Sequence, residues 1–168
     1  LLWSDDEGFY LDRDFEGRQS EVKAVTGFLP LLAGIPNADQ ADALRRHLRN
    51  PRTFGAPCPV PSVSLDSGSY CKDMWRGPTW MNLNYAILCG LLRAGFHEEA
   101  AQLRERSLAA IQRIYETDGC LYEYYDSLDV THPSRLDRKQ RLISGKGIAP
   151  ISDYHWTAAL TAAMIFEG

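Results

Sequence analysis

The chain has 168 residues, 45% of them hydrophobic and 24% charged, with 18 Lys and Arg against 22 Asp and Glu for a formal net charge of -4. That is the make-up of a globular chain with enough residues for one hydrophobic core. It argues against a nucleic-acid surface, because the basic residues are outnumbered and form no sustained run, and against a membrane span, because no apolar stretch approaches roughly 20 residues.

Taken in chain order, "VKAVTGFLPLLA" from Val22 to Ala33 is apolar on nearly all sides, although Pro30 must bend or shorten any helix there, and Gly34 ends it. "NADQADALRRHLRN" spaces Ala41, Leu44 and Leu48 as an amphipathic surface helix. A long proline- and glycine-rich connection from Asn50 to Gly77 follows, of a length that is usually functional. It leads into "DMWRGPTWMNLNYAILCGLLRAGF", a helix uncharged from Thr79 to Leu92, with Pro78 expected in its first turn and Gly95 at its C-terminal cap. "HEEAAQLRERSLAAIQRIYETDG" reads as a second surface helix, burying Ala100, Leu103, Ala110, Ile111 and Ile114. After a second long connection from Gly119 to Ser152, "DYHWTAALTAAMIF" reads as a third buried helix capped by Asp153.

The order is therefore buried, surface, long loop, twice over, then buried again. If each buried and surface helix form an antiparallel hairpin, the buried helices run parallel and the long connections gather at their N-terminal end. This is the plan of an all-α toroid. Its rim would collect Trp75, Arg76, Trp80, Asn82, Asn84, Tyr122, Glu123, Tyr124, Tyr125, Asp126, His155 and Trp156, together with the first loop "WSDDEGFYLDRD".

Aromatic faces interspersed with carboxylates, amides and an arginine suit a sugar, whose C–H faces stack on rings while its hydroxyls take directional bonds. Plainer roles fit each residue as well. Trp75 and Trp80 could anchor layers, Arg76 could pair with Asp73 or Asp126, Asn82 and Asn84 could bond first-turn amides, and Tyr122 with Tyr124 could belong to a short half-buried strand. Glu123 stands among tyrosines, a setting that can raise a carboxyl's pKa toward the range a general acid or base needs. A glycosidase needs a second carboxyl across the scissile bond, and nothing local singles out one of Asp5, Asp6, Asp66, Asp73, Asp126 or Asp153. The basic piece "RLDRKQR" reads as a solvated loop.

Cys58, Cys71, Cys89 and Cys120 are far apart and the four histidines show no ligand spacing, so neither a metal nor a disulfide framework is expected, and no cofactor is called for. Cys89 reads as a small buried hydrophobe. Because the chain starts at "LLWSDD" without methionine, its natural N-terminus is expected to lie elsewhere; location stays open, with the cytoplasm slightly favoured.

The blocks "WRGPTWMNLNYAILCGLLRAG", "YEYYDSLD" and "HWTAAL", with "LWSDDEGFYLDRD" ahead of them, resemble the C-terminal part of the glycoside hydrolase family 63 catalytic domain and its mannosylglycerate-hydrolase-like relatives, and more distantly trehalases. The resemblance implies a portion of about five helices from an (α/α)6 barrel, residues 1–168 forming a single unit that is a C-terminal fragment of the catalytic domain. It implies inverting hydrolysis of a glucoside- or mannoside-type substrate, with Glu123 as general base. It places Trp75, Arg76, Trp80, Asn82, Tyr122, Tyr124, Asp126, His155 and Trp156 around the carbohydrate. The general acid, an aspartate, is expected upstream of Leu1. In the turn after the acidic motif, Asp129-Val130 stands where the resemblance leads one to expect glycine. Two other classes stay open: a non-catalytic carbohydrate-binding or interaction fragment, and an α/α-barrel epimerase, which would need histidine pairs that this rim lacks.

Overall fold

The computed structural model describes residues 2–141, 145 and 148–166, so that part of the second long connection, residues 142–144 and 146–147, lies outside the described residues. The apolar run near Pro30 forms a 3-10 turn, Val25–Phe28, continuing into α1, Leu29–Ala33. Pro30 stands in the first turn of α1, where its missing N–H has no intrahelical partner to lose, and Gly34 closes the helix at φ 69°. Helix α2, Ala38–Arg49, opens on a capping box in which Asn37 and Gln40 each accept the other's backbone N–H. It buries Ala41 and Leu44, while Arg45 pairs with Asp42 on its own helix and reaches Glu99.

Helix α3, Met81–Arg93, is the centre of the fold. No residue from Met81 to Leu91 is exposed, as expected of a helix apolar on every side. It packs against α1, against α4 (His97–Asp118) and against α5 (His155–Phe166). The approach of α1 is so close that a Cβ at Gly90 would lie 2.8 Å from Leu31 Cβ and from the Leu32 nitrogen. Pro78 precedes the helix instead of entering it, since Trp80 is the N-cap residue in extended conformation. Gly95, at φ 82°, turns the chain directly into α4, which lies back along α3 as a hairpin. Ala100, Leu103, Ala110 and Ile111 are buried on α4, as their spacing requires.

The expectation that α5 is buried on all sides is not met. Only Thr157 and Met164 are buried, whereas Trp156, Ile165 and Phe166 are exposed, because α3 and α4 cover a single flank. Asp153 is not its cap either: Tyr154 directly precedes the helix, its carbonyl accepting from Ala158 N at 3.1 Å. The fold is mainly helical with one small addition, a ladder of β1 (Trp3–Ser4) and β2 (Phe9–Tyr10). That hairpin buries Phe9 among Phe28 and Phe54 and lies against α2, with His47 Nε2 2.9 Å from the Glu7 carbonyl. It therefore stands at the α1 end of the arc, not beside Glu123.

The three inner helices do share one end. Isolated antiparallel bridges join Ala24 to Val63, Pro61 to Thr79 and Thr79 to Tyr125, and Tyr154 N donates to the Leu121 carbonyl at 2.9 Å. The residues preceding α1, α3 and α5 are thus laced into one rim by backbone pairing, which satisfies polar groups that loops would otherwise leave unpaired. Thr79 is the midpoint, fully buried, its hydroxyl donating to the Cys58 carbonyl at 2.8 Å.

Candidate active site

Glu123 sits where this lacing crosses from α3 to α5. Its backbone N–H donates to the Ile151 carbonyl at 2.9 Å, and its side chain, 5% exposed, accepts from Arg138 Nε at 3.1 Å and from Ile151 N at 3.3 Å. Among the described residues both hydrogen bonds to the carboxylate land on Oε2, and Oε1 accepts none. A carboxylate so held has a fixed orientation, with Oε2 anchored and Oε1 without a partner among the described residues.

A ladder of rings ends at the next residue in the chain, Tyr124. Trp75 stacks on Trp80 with centroids 3.7 Å apart and planes at 6°, and Trp80 leans on Tyr124 at 5.0 Å. Trp80 is 3% exposed and bonded through Nε1 to the Met74 carbonyl, so it is a core anchor; Trp75 is 44% exposed and keeps one face open. Tyr124 is fully buried, its hydroxyl donating to the Asp137 carbonyl at 2.6 Å, and burial followed by the Glu123 charge pushes its phenol pKa up. Tyr154 is pushed up in the same direction, by burial and then by the Glu123 charge.

Arg76 takes the plainer of its two roles, pairing with Asp73 at 2.8 Å, yet its side chain remains half exposed. Asp73 is a hub: besides Arg76 it accepts from Lys139 N at 2.8 Å and Gln140 N at 3.0 Å. A cleft of about 370 Å³ opens here between Met74, Trp75, Arg76, Lys139 and Gln140. The "RLDRKQR" piece is a solvated loop only in part: Arg135, Lys139 and Gln140 are exposed, but the rest turns inward. Leu136 is buried beside Trp80 and Tyr124, Arg138 reaches Glu123, and Lys139 and Gln140 take left-handed backbone at φ 53° and 56°, a conformation costing non-glycine residues about 1 kcal/mol or more each. Charge in the sequence indicates surface unless a partner is waiting, and the partner of Arg138, Glu123, is 15 residues away, while the Asp73 carboxylate that takes the Lys139 and Gln140 backbone amides is more than 60 away.

Several expected site residues face elsewhere. Asn84 is fully buried and holds the cis Pro59–Val60 peptide, accepting from Val60 N and donating to the Pro59 carbonyl. Asn82 is partly buried, and its Oδ1 is enclosed without a partner among the described residues. Tyr122 turns toward α4, donating to Asp118 at 2.7 Å, and packs with Tyr125 against Ala110 and Ile111. No strand forms at residues 122–126. His155 and Trp156 start α5 exposed, in ring contact with Tyr154. Cys58, not Cys89, is the deeply buried thiol, its pKa pushed by burial up to about 12. Asp129 adopts φ 57°, taking up the left-handed turn at the place where glycine was expected, and pairs with Arg113 at 2.6 Å.

Asp126 is a loop clamp. Its carboxylate takes Lys72 Nζ at 2.7 Å and the backbone N–H groups of Leu128, Val130 and Thr131. Burial opposes its ionisation, but the Lys72 bond and the three amides outweigh it and hold the pKa below the usual carboxylate value. A depressed acid stabilises the fold above its unfolded pKa, about 3.9, and loses that contribution as pH falls through the lower folded value. Asp126→Asn should therefore reduce stability at neutral pH and leave a shallower acid limb below pH ~4. Urea unfolding across that range checks this, and an unaltered acid limb would reject the clamp.

Missed in the sequence were Arg138, Tyr154, the Ile151 amide and the Asp73 hub. Asp73 was legible as one of six candidate carboxylates, and Tyr154 stood inside the quoted "DYHWTAALTAAMIF"; Arg138 carried no local signal.

A family model described as "Mannosylglycerate hydrolase MGH1-like glycoside hydrolase domain" matches residues 1–157. Mannosylglycerate hydrolase from Rubrobacter radiotolerans is 32% identical, the match covering 99% of this chain and 34% of that protein. Mannosylglycerate hydrolase from Thermus thermophilus is 36% identical over 76% of this chain and 30% of its own length. Among solved structures, a GH63 mannosylglycerate hydrolase from Thermus thermophilus in complex with glucose aligns with a TM-score of 0.72 at 29% identity, over 99% of this chain and 37% of that one. Neutral trehalase Nth1 from Saccharomyces cerevisiae aligns with the same TM-score of 0.72 at 19% identity, over 98% of this chain and 27% of that one, a likeness of fold alone. The chain spans about a third of the length of the mannosylglycerate hydrolases it matches. By the extent of the family match and the identity to these relatives, the chain belongs to the mannosylglycerate hydrolase MGH1-like glycoside hydrolase family.

Proposed function

We propose that residues 1–168 are one unit, the C-terminal portion of an (α/α)6 catalytic domain, and that this portion supplies the general base of an inverting glycosidase acting on mannosyl- or glucosylglycerate. The observation that carries the reading is Glu123, anchored through Oε2, with Oε1 unpaired among the described residues, next in the chain to Tyr124, where the Trp75–Trp80–Tyr124 ladder ends. Relatives named mannosylglycerate hydrolase and glucosylglycerate hydrolase, and a Thermus thermophilus structure in complex with Tris and D-glycerate, support the substrate class.

In this mechanism a water molecule lies against Glu123 Oε1. The carboxylate takes one of its protons as the oxygen attacks the anomeric carbon from the face opposite the leaving group. The C–O bond to glycerate breaks, and its oxygen receives a proton from an acid borne elsewhere in the complete protein, roughly 6.5–9.5 Å across the bond. The open face of Trp75 stacks on the sugar, and Arg76 donates to a hydroxyl. Asn82, whose enclosed Oδ1 lacks a donor among the described residues, and Trp156 and His155 at the start of α5 line the same rim.

The test is to give the complete protein α-mannosylglycerate and α-glucosylglycerate and follow the first-formed sugar by proton NMR. The β-anomer appearing before mutarotation is the expected result. An α-anomer would exclude inversion, and binding without glycerate release would favour the non-catalytic carbohydrate-binding reading.

A further inference from the structure

We infer that Arg138 is the positioning residue of Glu123, and that Asp73 couples it to the sugar wall; this rests on the reading of Glu123 as base. An arginine in an exposed connection loses much side-chain freedom when fixed, and most surface ion pairs return little for it. Arg138 is nonetheless fixed, with its side chain 16% exposed and Nε 3.1 Å from Glu123 Oε2.

The described part of the loop that carries it, residues 136–141, is tied down at several points. Asp137 N donates to the Lys72 carbonyl at 2.9 Å, and Tyr124, the residue after the base, donates from its hydroxyl to the Asp137 carbonyl at 2.6 Å. Leu136 is buried against Trp80 and Tyr124, and an Arg141 NH2 donates to its carbonyl at 3.2 Å. Past Arg138, the two left-handed residues Lys139 and Gln140 turn both amides onto the buried carboxylate of Asp73. Backbone in that region persists only where its surroundings over-determine it, and such places concentrate at functional sites. Asp73 also holds Arg76, so one carboxylate fixes both the wall beside Trp75 and the loop that reaches the base.

The consequence is geometric. With Oε2 occupied by Arg138 and the Ile151 amide, the carboxylate plane cannot rotate freely, and Oε1 is the oxygen left without a partner among the described residues. Loss of the guanidinium frees that rotation without removing a substrate contact, and misplacement of a reacting group by about 1 Å can cost on the order of 10²-fold in rate.

In the complete protein, Arg138→Ala should lower kcat by roughly 10- to 100-fold with KM within about twofold. Free guanidinium ion, at a concentration too low to unfold the protein, should restore part of that kcat. Asp73→Asn should lower kcat without being rescued, since Arg138 is still present. Unchanged kcat in Arg138→Ala, a raised KM at constant kcat, or failure of guanidinium to restore a folded variant would each overturn the inference, and rescue of Asp73→Asn would overturn the coupling. Glu123→Gln separates the two levels. If that variant is inactive while Arg138→Ala is fully active, only the positioning role fails; if it is active, the reading of the base fails.

Discussion

Glu123→Gln in the complete protein is expected to lower turnover by about 10²- to 10⁴-fold while leaving affinity for the glycoside within roughly threefold. The substitution is nearly isosteric, and its orientation is dictated by the surroundings. Arg138 Nε and Ile151 N are both donors and both require an acceptor at the Oε2 position, so the glutamine oxygen must take that place. Its NH2 group then falls at the Oε1 position, where it cannot accept a proton from water. Position is kept and basicity is lost. Steady-state rates with calorimetric binding separate the two effects, and near-normal turnover would place the base elsewhere.

Asn84→Leu should destabilise the complete protein by about 3–5 kcal/mol, read from urea unfolding. The Asn84 side chain is fully buried and serves three partners: Val60 N at 3.1 Å, the Pro59 carbonyl at 2.5 Å and Ser107 Oγ on α4 at 2.9 Å. Leucine matches its size but strands all three, and each buried unpaired group costs roughly 1–3 kcal/mol. The same bonds hold the 59–63 segment, from which the rim lacing starts, so the variant should also lose activity at temperatures where it is still folded. Ser107→Ala removes one partner alone and should cost about 1 kcal/mol. A loss below about 1 kcal/mol for Asn84→Leu would mean that water readily replaces the amide.

Asn82 and Asn84 show how far a sequence can be read. Two residues apart on a helix, they point about 200° from one another, so one can meet the rim and the other the α4 side. Both stood on the expected rim because their spacing from Trp80 is nearly the same. Choosing between them requires knowing which flank of α3 meets α4, and that depends on every helix at once. The tyrosines 122, 124 and 125 divide in the same way, the first and last toward α4 and the middle one toward Trp80.

Hydrophobic periodicity and punctuation by themselves determined the helices: α3 central and uncharged as far as Leu92, α2 and α4 amphipathic, Gly34 and Gly95 at left-handed turns, and the aromatic blocks just ahead of the inner helices. These are local properties, set by 3.6-residue periodicity and by which residues tolerate a positive φ. Only the tertiary structure decided that Arg138 belongs to Glu123, that Asp126 and Asn84 are framework, that Trp80 is buried while Trp75 is open, and that α5 leaves an apolar flank uncovered. Those assignments depend on partners distant in sequence, and a charged or aromatic side chain carries no local mark of which partner the folded chain will bring to it.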